Sequence, residues 1–189
     1  GIPIIVYDCV VENNLEERWQ KDKDLICGVI ISGSRTVPEY HLMPAFPSEI
    51  IENLPTLGIC YGHELLGEIL GAKIVDCEPN GEHLSTIAKL YKNSLFEGID
   101  TSEKWQVTMK HDQMLASLPN GCELIASTAL TPVAGFFSPE KNWWGIQFHP
   151  EKDWMGNIIF KNFYAICRSM KYLKLFEDFD QRTEKVEDP

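Results

Sequence analysis

Apolar and polar positions alternate along this chain in blocks that predict a layered α/β fold. Residues 2–10, "IPIIVYDCV", form a short, β-branched, almost continuous apolar run, the pattern of a strand buried on both faces. Residues 25–34, "LICGVIISGS", repeat it and stop at Gly33. The polar stretch 11–24 between them fits a helix or a loop. Residues 48–54 begin as helix, the chain turns at Pro55, and a short strand follows at 56–60. Leu65, Leu66, Ile69 and Leu70 then recur at helical spacing, Gly71 ends the helix, and "KIVDC" returns to strand.

From 82 to 148 the pattern becomes strand-rich. "LSTIAKLY", "KWQVTMK", "CELIASTA", "VAGFFS" and "NWWGIQFH" are separated by turn signals such as "PNG" and "SPEKN". Residues 157–176 read as a long amphipathic helix, and the acidic segment 177–189 as a frayed tail. Strands alternating with helices, followed by hairpin-like additions, predict an open mixed sheet, mainly parallel and flanked by helices. Residues 1–176 are expected to form one domain.

Composition narrows the classes. Of 189 residues, 44% are apolar and 24% charged, ordinary for a globular domain. No apolar stretch reaches the roughly 18–20 residues of a membrane span, and the N-terminus lacks a basic region and a cleavage site, so a soluble cytoplasmic protein is expected. A net charge of -11 disfavours nucleic-acid backbones but leaves a nucleotide or a basic protein partner open. The six cysteines form no CxxC pair, so neither a metal site nor a disulfide framework is expected, and nothing in the sequence calls for a cofactor.

Chemistry concentrates in two motifs. In "LGICYGHELLGE" (57–68), Cys60 lies between Gly58 and Gly62 where a strand passes into a helix. Such a turn lifts a nucleophile out of the sheet and aims a helix N-terminus at it, which favours thiolate and offers N–H groups to an oxyanion. Taken alone, the motif equally describes a core cysteine flanked by glycines. In "GIQFHPE" (145–151), His149 could take the thiol proton while Glu151 orients its ring. Alone, that step also reads as a strand-end turn; the two motifs together favour a Cys–His–Glu set.

The two motifs, with "NIIFKNFYAIC" (157–167) and "IISGS" (30–34), closely resemble the class I, or triad, glutamine amidotransferases, over roughly residues 25–168. The nearest match is the GMP synthase glutaminase. The resemblance implies a flavodoxin-like three-layer fold and hydrolysis of the glutamine amide through a γ-glutamyl thioester on Cys60, with His149 as base and Glu151 as orienter. It places oxyanion donors at the Tyr61 backbone and the Gly33–Ser34 turn. It places substrate contacts at Glu64 and in "MKHDQMLASLP" (109–119), with His111 and Asp112 as candidates. Ammonia would pass to a synthase on a separate chain, since no synthase domain follows residue 170.

Some positions depart from the family pattern. Glu64 replaces a glutamine, which keeps an acceptor and adds a negative charge. "SGSR" (32–35) replaces a Gly-Gly-Pro turn, Gln113 replaces an acidic residue, and only residues 11–24 separate the first two apolar runs. A γ-glutamyl hydrolase of altered specificity and a regulatory subunit with an idle triad are therefore alternatives.

Overall fold

The computed structural model describes residues 3–7, 15–33, 51, 52 and 54–184. Its main element is a seven-stranded mixed sheet. The strands are β1 (Val29–Ile31), β2 (Thr56–Ile59), β4 (Glu82–Leu90), β5 (Lys104–His111), β7 (Glu123–Ser127), β8 (Gly135–Ser138) and β9 (Trp143–Ile146), in the order β1-β2-β9-β8-β7-β4-β5. A separate antiparallel pair joins β3 (Ile74–Asp76) to β6 (Gln113–Leu115). The helices are α1 (Leu15–Asp22), α2 (Tyr61–Ile69) and α3 (Gly156–Glu184).

The mixed sheet with helices on its faces is the expected architecture, but its balance differs. Only β1-β2 and β2-β9 pair in parallel; the other pairings among the described strands are antiparallel. The correction arises because β4 with β5, β7 with β8 and β8 with β9 pair as antiparallel neighbours, which need no helical crossover.

Strands β2 and β9 divide their side chains between two cores. Leu57, Ile59, Trp144 and Ile146 face one side, against Met155, Ile159, Phe163 and Cys167. Ile159, Phe163 and Cys167 recur at four-residue spacing on one stripe of α3, with Met155 just before it, and Trp144 meets Phe163 edge-on at 6.0 Å. Trp143 faces the other side with Leu66 of α2, Leu115 and Phe136. The sheet interior is therefore covered on both faces, as its near-continuous apolar strands require.

Two expectations from the pattern need revision. Residues 3–7 form no strand: Ile4 and Val6 are 78% and 74% exposed. Their bonds go to α1 instead, where Arg18 donates to the Val6 carbonyl (3.2 Å) and the Tyr7 hydroxyl to Asp22 (2.9 Å). The expected frayed tail also begins later, since α3 continues past Phe176 to Glu184. The polar stretch after residue 10 contains a helix, α1. The helix expected at 48–54 lies largely outside the described residues.

Two glycines let α2 lie against the sheet. A Cβ on Gly62 would fall 2.2 Å from the Ile31 carbonyl oxygen, and one on Gly58 would fall 2.3 Å from the Gly62 carbonyl oxygen. Both obstacles are backbone, so no side chain can move aside. Gly62→Ala is therefore expected to lower stability by about 1–3 kcal/mol, the usual range for overpacking. A urea midpoint equal to wild type would show that α2 can retreat from β1.

Candidate active site

Strands β1, β2 and β9 are parallel, so their carboxyl ends share one edge of the sheet, the edge at which open α/β sheets bind ligands. The register sets Ile31 beside Gly58 and Gly58 beside Gly145, with Ile59 beside Ile146. Gly33, Cys60 and His149 follow the ends of β1, β2 and β9 by two, one and three residues. Cys60 N–H donates to the Ile146 carbonyl (2.9 Å), which ties the first turn to the second strand.

Cys60 has φ 53° and ψ −106°, a left-handed φ that a residue with a Cβ adopts only when its surroundings impose it. Gly58 and Gly62 supply the room, and α2 begins at the next residue. The thiol lies beside the Lys110 carbonyl of β5 (Sγ to O, 3.7 Å). One point, where a Cβ on Gly33 would be, lies 3.8 Å from Cys60 Sγ and 3.1 Å from His149 Cε1. The cysteine and the imidazole thus converge across Gly33, and any side chain there would intrude between them.

His149 Nδ1–H donates to Glu151 Oε1 at 2.6 Å, which leaves Nε2 as the free, basic nitrogen. Pro150 and Glu151 lie in a single 3₁₀ turn, Pro150–Lys152, which presents the carboxylate back to the ring. His149 and Glu151 are therefore a local unit, whereas Cys60 and His149 meet only through the sheet.

The electrostatic balance at Cys60 differs from the sequence expectation of a favoured thiolate. Burial pushes its pKa up to about 11, the negative charge of Glu64 pushes the same way, and the Tyr61 N–H only partly offsets them. The resting group is a thiol. Glu64 is buried and accepts from Gln147 Nε2 at 2.9 Å, and the Gln147 carbonyl oxygen is buried without a hydrogen-bond partner. Gln147 was legible only as a polar residue inside an apolar strand, a sign of a buried hydrogen bond.

The loop candidates divide. His111 is buried, but its ring belongs to a network: Nδ1–H donates to the Gln113 carbonyl (2.7 Å) and Nε2 lies 3.7 Å from Glu82. Thr131 and Thr128 hydroxyls also donate to Glu82, at 2.6 and 3.0 Å. Asp112 has a 73% exposed side chain paired with His83 at 3.0 Å, and no described contact brings its carboxylate to Cys60. Tyr61 and Gly33 adjoin the thiol; Ser34 lies outside the described residues. Among the described residues, no group of three His, Cys, Asp or Glu side chains converges as metal ligands would. No described helix is long and apolar enough to cross a membrane.

Comparison with known proteins agrees with this geometry. Residues 4–166 match the family model "Glutamine amidotransferase class-I". The chain belongs to the class I glutamine amidotransferases. It is 38% identical over 146 residues to the GMP synthase [glutamine-hydrolyzing] of Clostridium perfringens, covering 74% of this chain. It is 39% identical over 153 residues to that of Halothermothrix orenii, covering 77%. The matches span 28% of the length of those relatives. Among solved structures, a putative GMP synthase subunit from Thermoplasma acidophilum aligns with a TM-score of 0.68 and 26% identity, over 82% of this chain and 79% of that one. A glutamine amidotransferase from Thermotoga maritima shares the fold, with a TM-score of 0.57 and 19% identity, over 92% and 86% of the two chains.

One further residue links the family's nucleophile motif to stability. His63, on α2 beside Phe136, is fully buried and neither ring nitrogen has a hydrogen-bond partner of good geometry. Burial holds its pKa at about 3, only partly offset by the nearby Gly145 and Val133 backbone. Burial opposes ionisation of Glu82 too, but bonds from His111, Thr131, Thr86 and Thr128 outweigh it and bring its pKa to about 2. Both folded values lie below the unfolded ones, so acidification costs stability through each: Glu82 loses the bonds that favour its carboxylate, and His63 must take a proton in a buried site. The His63 loss begins as pH falls through 6.5 and continues to about 3. The Glu82 loss begins near 4.5 and continues to about 2. His63→Leu should flatten the dependence of the urea midpoint on pH between 6.5 and 4.5; an unchanged slope would show that His63 does not carry it.

Proposed function

We propose that this chain is the glutaminase module of a GMP synthase-type enzyme. In this reading it hydrolyses the side-chain amide of glutamine at Cys60 and passes ammonia to a synthase partner. The observation that carries the proposal is the convergence of Cys60 with the His149–Glu151 pair at the carboxyl ends of parallel strands. The family membership and the names of the relatives support it. A cytoplasmic setting belongs to the same reading, since the described cysteines are all unbridged, as in a reducing compartment.

The chemistry follows from the geometry. With the thiol pKa near 11, the proton is still on sulfur at neutral pH, and His149 Nε2 must remove it as the attack begins. Sulfur adds to the amide carbon, and the developing oxyanion faces N–H groups at Tyr61 and Gly33. Collapse of the tetrahedral intermediate breaks the C–N bond, and His149 gives its proton to the departing ammonia. Water, deprotonated by His149, then hydrolyses the thioester to glutamate and restores the thiol. Glu151 holds Nδ1–H throughout and stabilises the imidazolium.

A second reading has a specific basis. Glu64, bonded to Gln147, places a carboxylate beside the nucleophile, which is suited to a γ-glutamyl compound other than free glutamine.

Two variants test these readings. Cys60→Ser should abolish ammonia release from glutamine while leaving the circular dichroism spectrum intact; retained hydrolysis would remove Cys60 as nucleophile. Glu64→Gln removes a charge that raises the thiol pKa, so the alkylation–pH curve of Cys60 should move to lower pH and kcat/KM for glutamine should rise. An unmoved curve would show that Glu64 does not act on the sulfur.

A further inference from the structure

The loop bearing His149 is fastened to β5 by three hydrogen bonds that converge on one residue, Thr108. The Thr108 carbonyl accepts from His149 N–H at 2.9 Å. Its own N–H donates to Asp153 Oδ2 at 2.9 Å, and its hydroxyl to Asp153 Oδ1 at 2.7 Å. A carboxylate held at both oxygens is fixed in direction as well as in distance. Asp153 also closes the turn that starts at His149: its N–H donates to the Pro150 carbonyl at 3.0 Å, and its carbonyl accepts from Gly156 N–H at 3.1 Å. Two residues beyond Thr108, the Lys110 carbonyl lies against Cys60 Sγ. One short segment of β5 therefore touches the thiol and anchors the loop of the imidazole.

We propose that Thr108 and Asp153 form a clamp that positions His149 for proton transfer with Cys60. Neither side chain has a described contact with the sulfur, so both act through the histidine. Without the carboxylate, the loop would be held to β5 at this point by the single main-chain bond from His149, about which the turn can pivot. Proton transfer needs heavy atoms about 2.6–3.2 Å apart, directly or through one water. A displacement near 1 Å is enough to cost about 10²-fold in rate. The proposal rests on His149 being the base for Cys60.

The test is the rate at which iodoacetamide alkylates Cys60 in the full chain at pH 8, read by peptide mass spectrometry so that the other cysteines are counted apart. Asp153→Ala and Thr108→Val should each slow alkylation by about tenfold or more, within the range expected for a misplaced base. Thr108→Ser, which keeps the hydroxyl, should stay within about twofold of wild type. In a His149→Ala background Asp153→Ala should change the rate by less than about twofold, because coupled residues are not additive. Thr108→Val is nearly isosteric and keeps both main-chain bonds, so it decides the matter should Asp153→Ala not fold. Unchanged alkylation in both clamp variants overturns the proposal, as does an equal loss with and without His149. An unchanged rate in His149→Ala alone overturns the base assignment and the clamp with it. Because the probe contains no glutamine, a coupled clamp in a protein that does not hydrolyse glutamine would refute only the glutaminase reading.

Discussion

The parallel register of β1, β2 and β9 is the constraint on which the rest depends. Gly33, Cys60 and His149 are far apart in sequence and share a site only because three strand ends lie on one edge. A slip of one residue in β9 would exchange Trp143 and Trp144 between the two cores and turn every side chain of the strand over. The large, distinct packing partners of those two tryptophans therefore hold the spacing of these three residues as well as the fold. The close fit of α2 on the sheet through Gly58 and Gly62 belongs to the same constraint, since it allows Cys60 its left-handed φ.

Within that frame the surroundings of Cys60 work against the nucleophilic role proposed for it. Burial and the Glu64 carboxylate oppose a thiolate, and the Tyr61 N–H offsets them only in part. On the proposed mechanism a proton acceptor is then needed, so the placement of the imidazole matters more than any static activation of the sulfur. Much of the surrounding hydrogen bonding serves placement. Glu151 holds the ring, Thr108 and Asp153 hold the loop, and the buried His111–Glu82 network holds the end of β5 beside the thiol.

The sequence was most informative where chemistry and local geometry coincide. Cys60 between two glycines and the His149–Glu151 step are each readable within a few residues, and so was the end of α2 at Gly71, whose φ is 87°. Features that depend on distant partners were not readable. The apolar run 2–10 has a strand's composition, but Arg18 and Asp22 hold residues 6 and 7 against α1. Asp112 adjoins the buried His111 in sequence, yet pairs outward with His83. Thr108 and Asp153 carry no motif; their bond exists only because β5 passes the loop that follows β9.

Cys60 and His149 are proposed to form a working pair aimed at a glutamine amide. The most direct measurement uses a glutamine analogue whose amide nitrogen is replaced by a diazomethyl group, followed by peptide mass spectrometry. A working pair gives a single covalent adduct on Cys60, suppressed by excess glutamine and lost in His149→Ala. Labelling of another cysteine, or labelling of Cys60 that glutamine does not compete and His149→Ala does not slow, would contradict it.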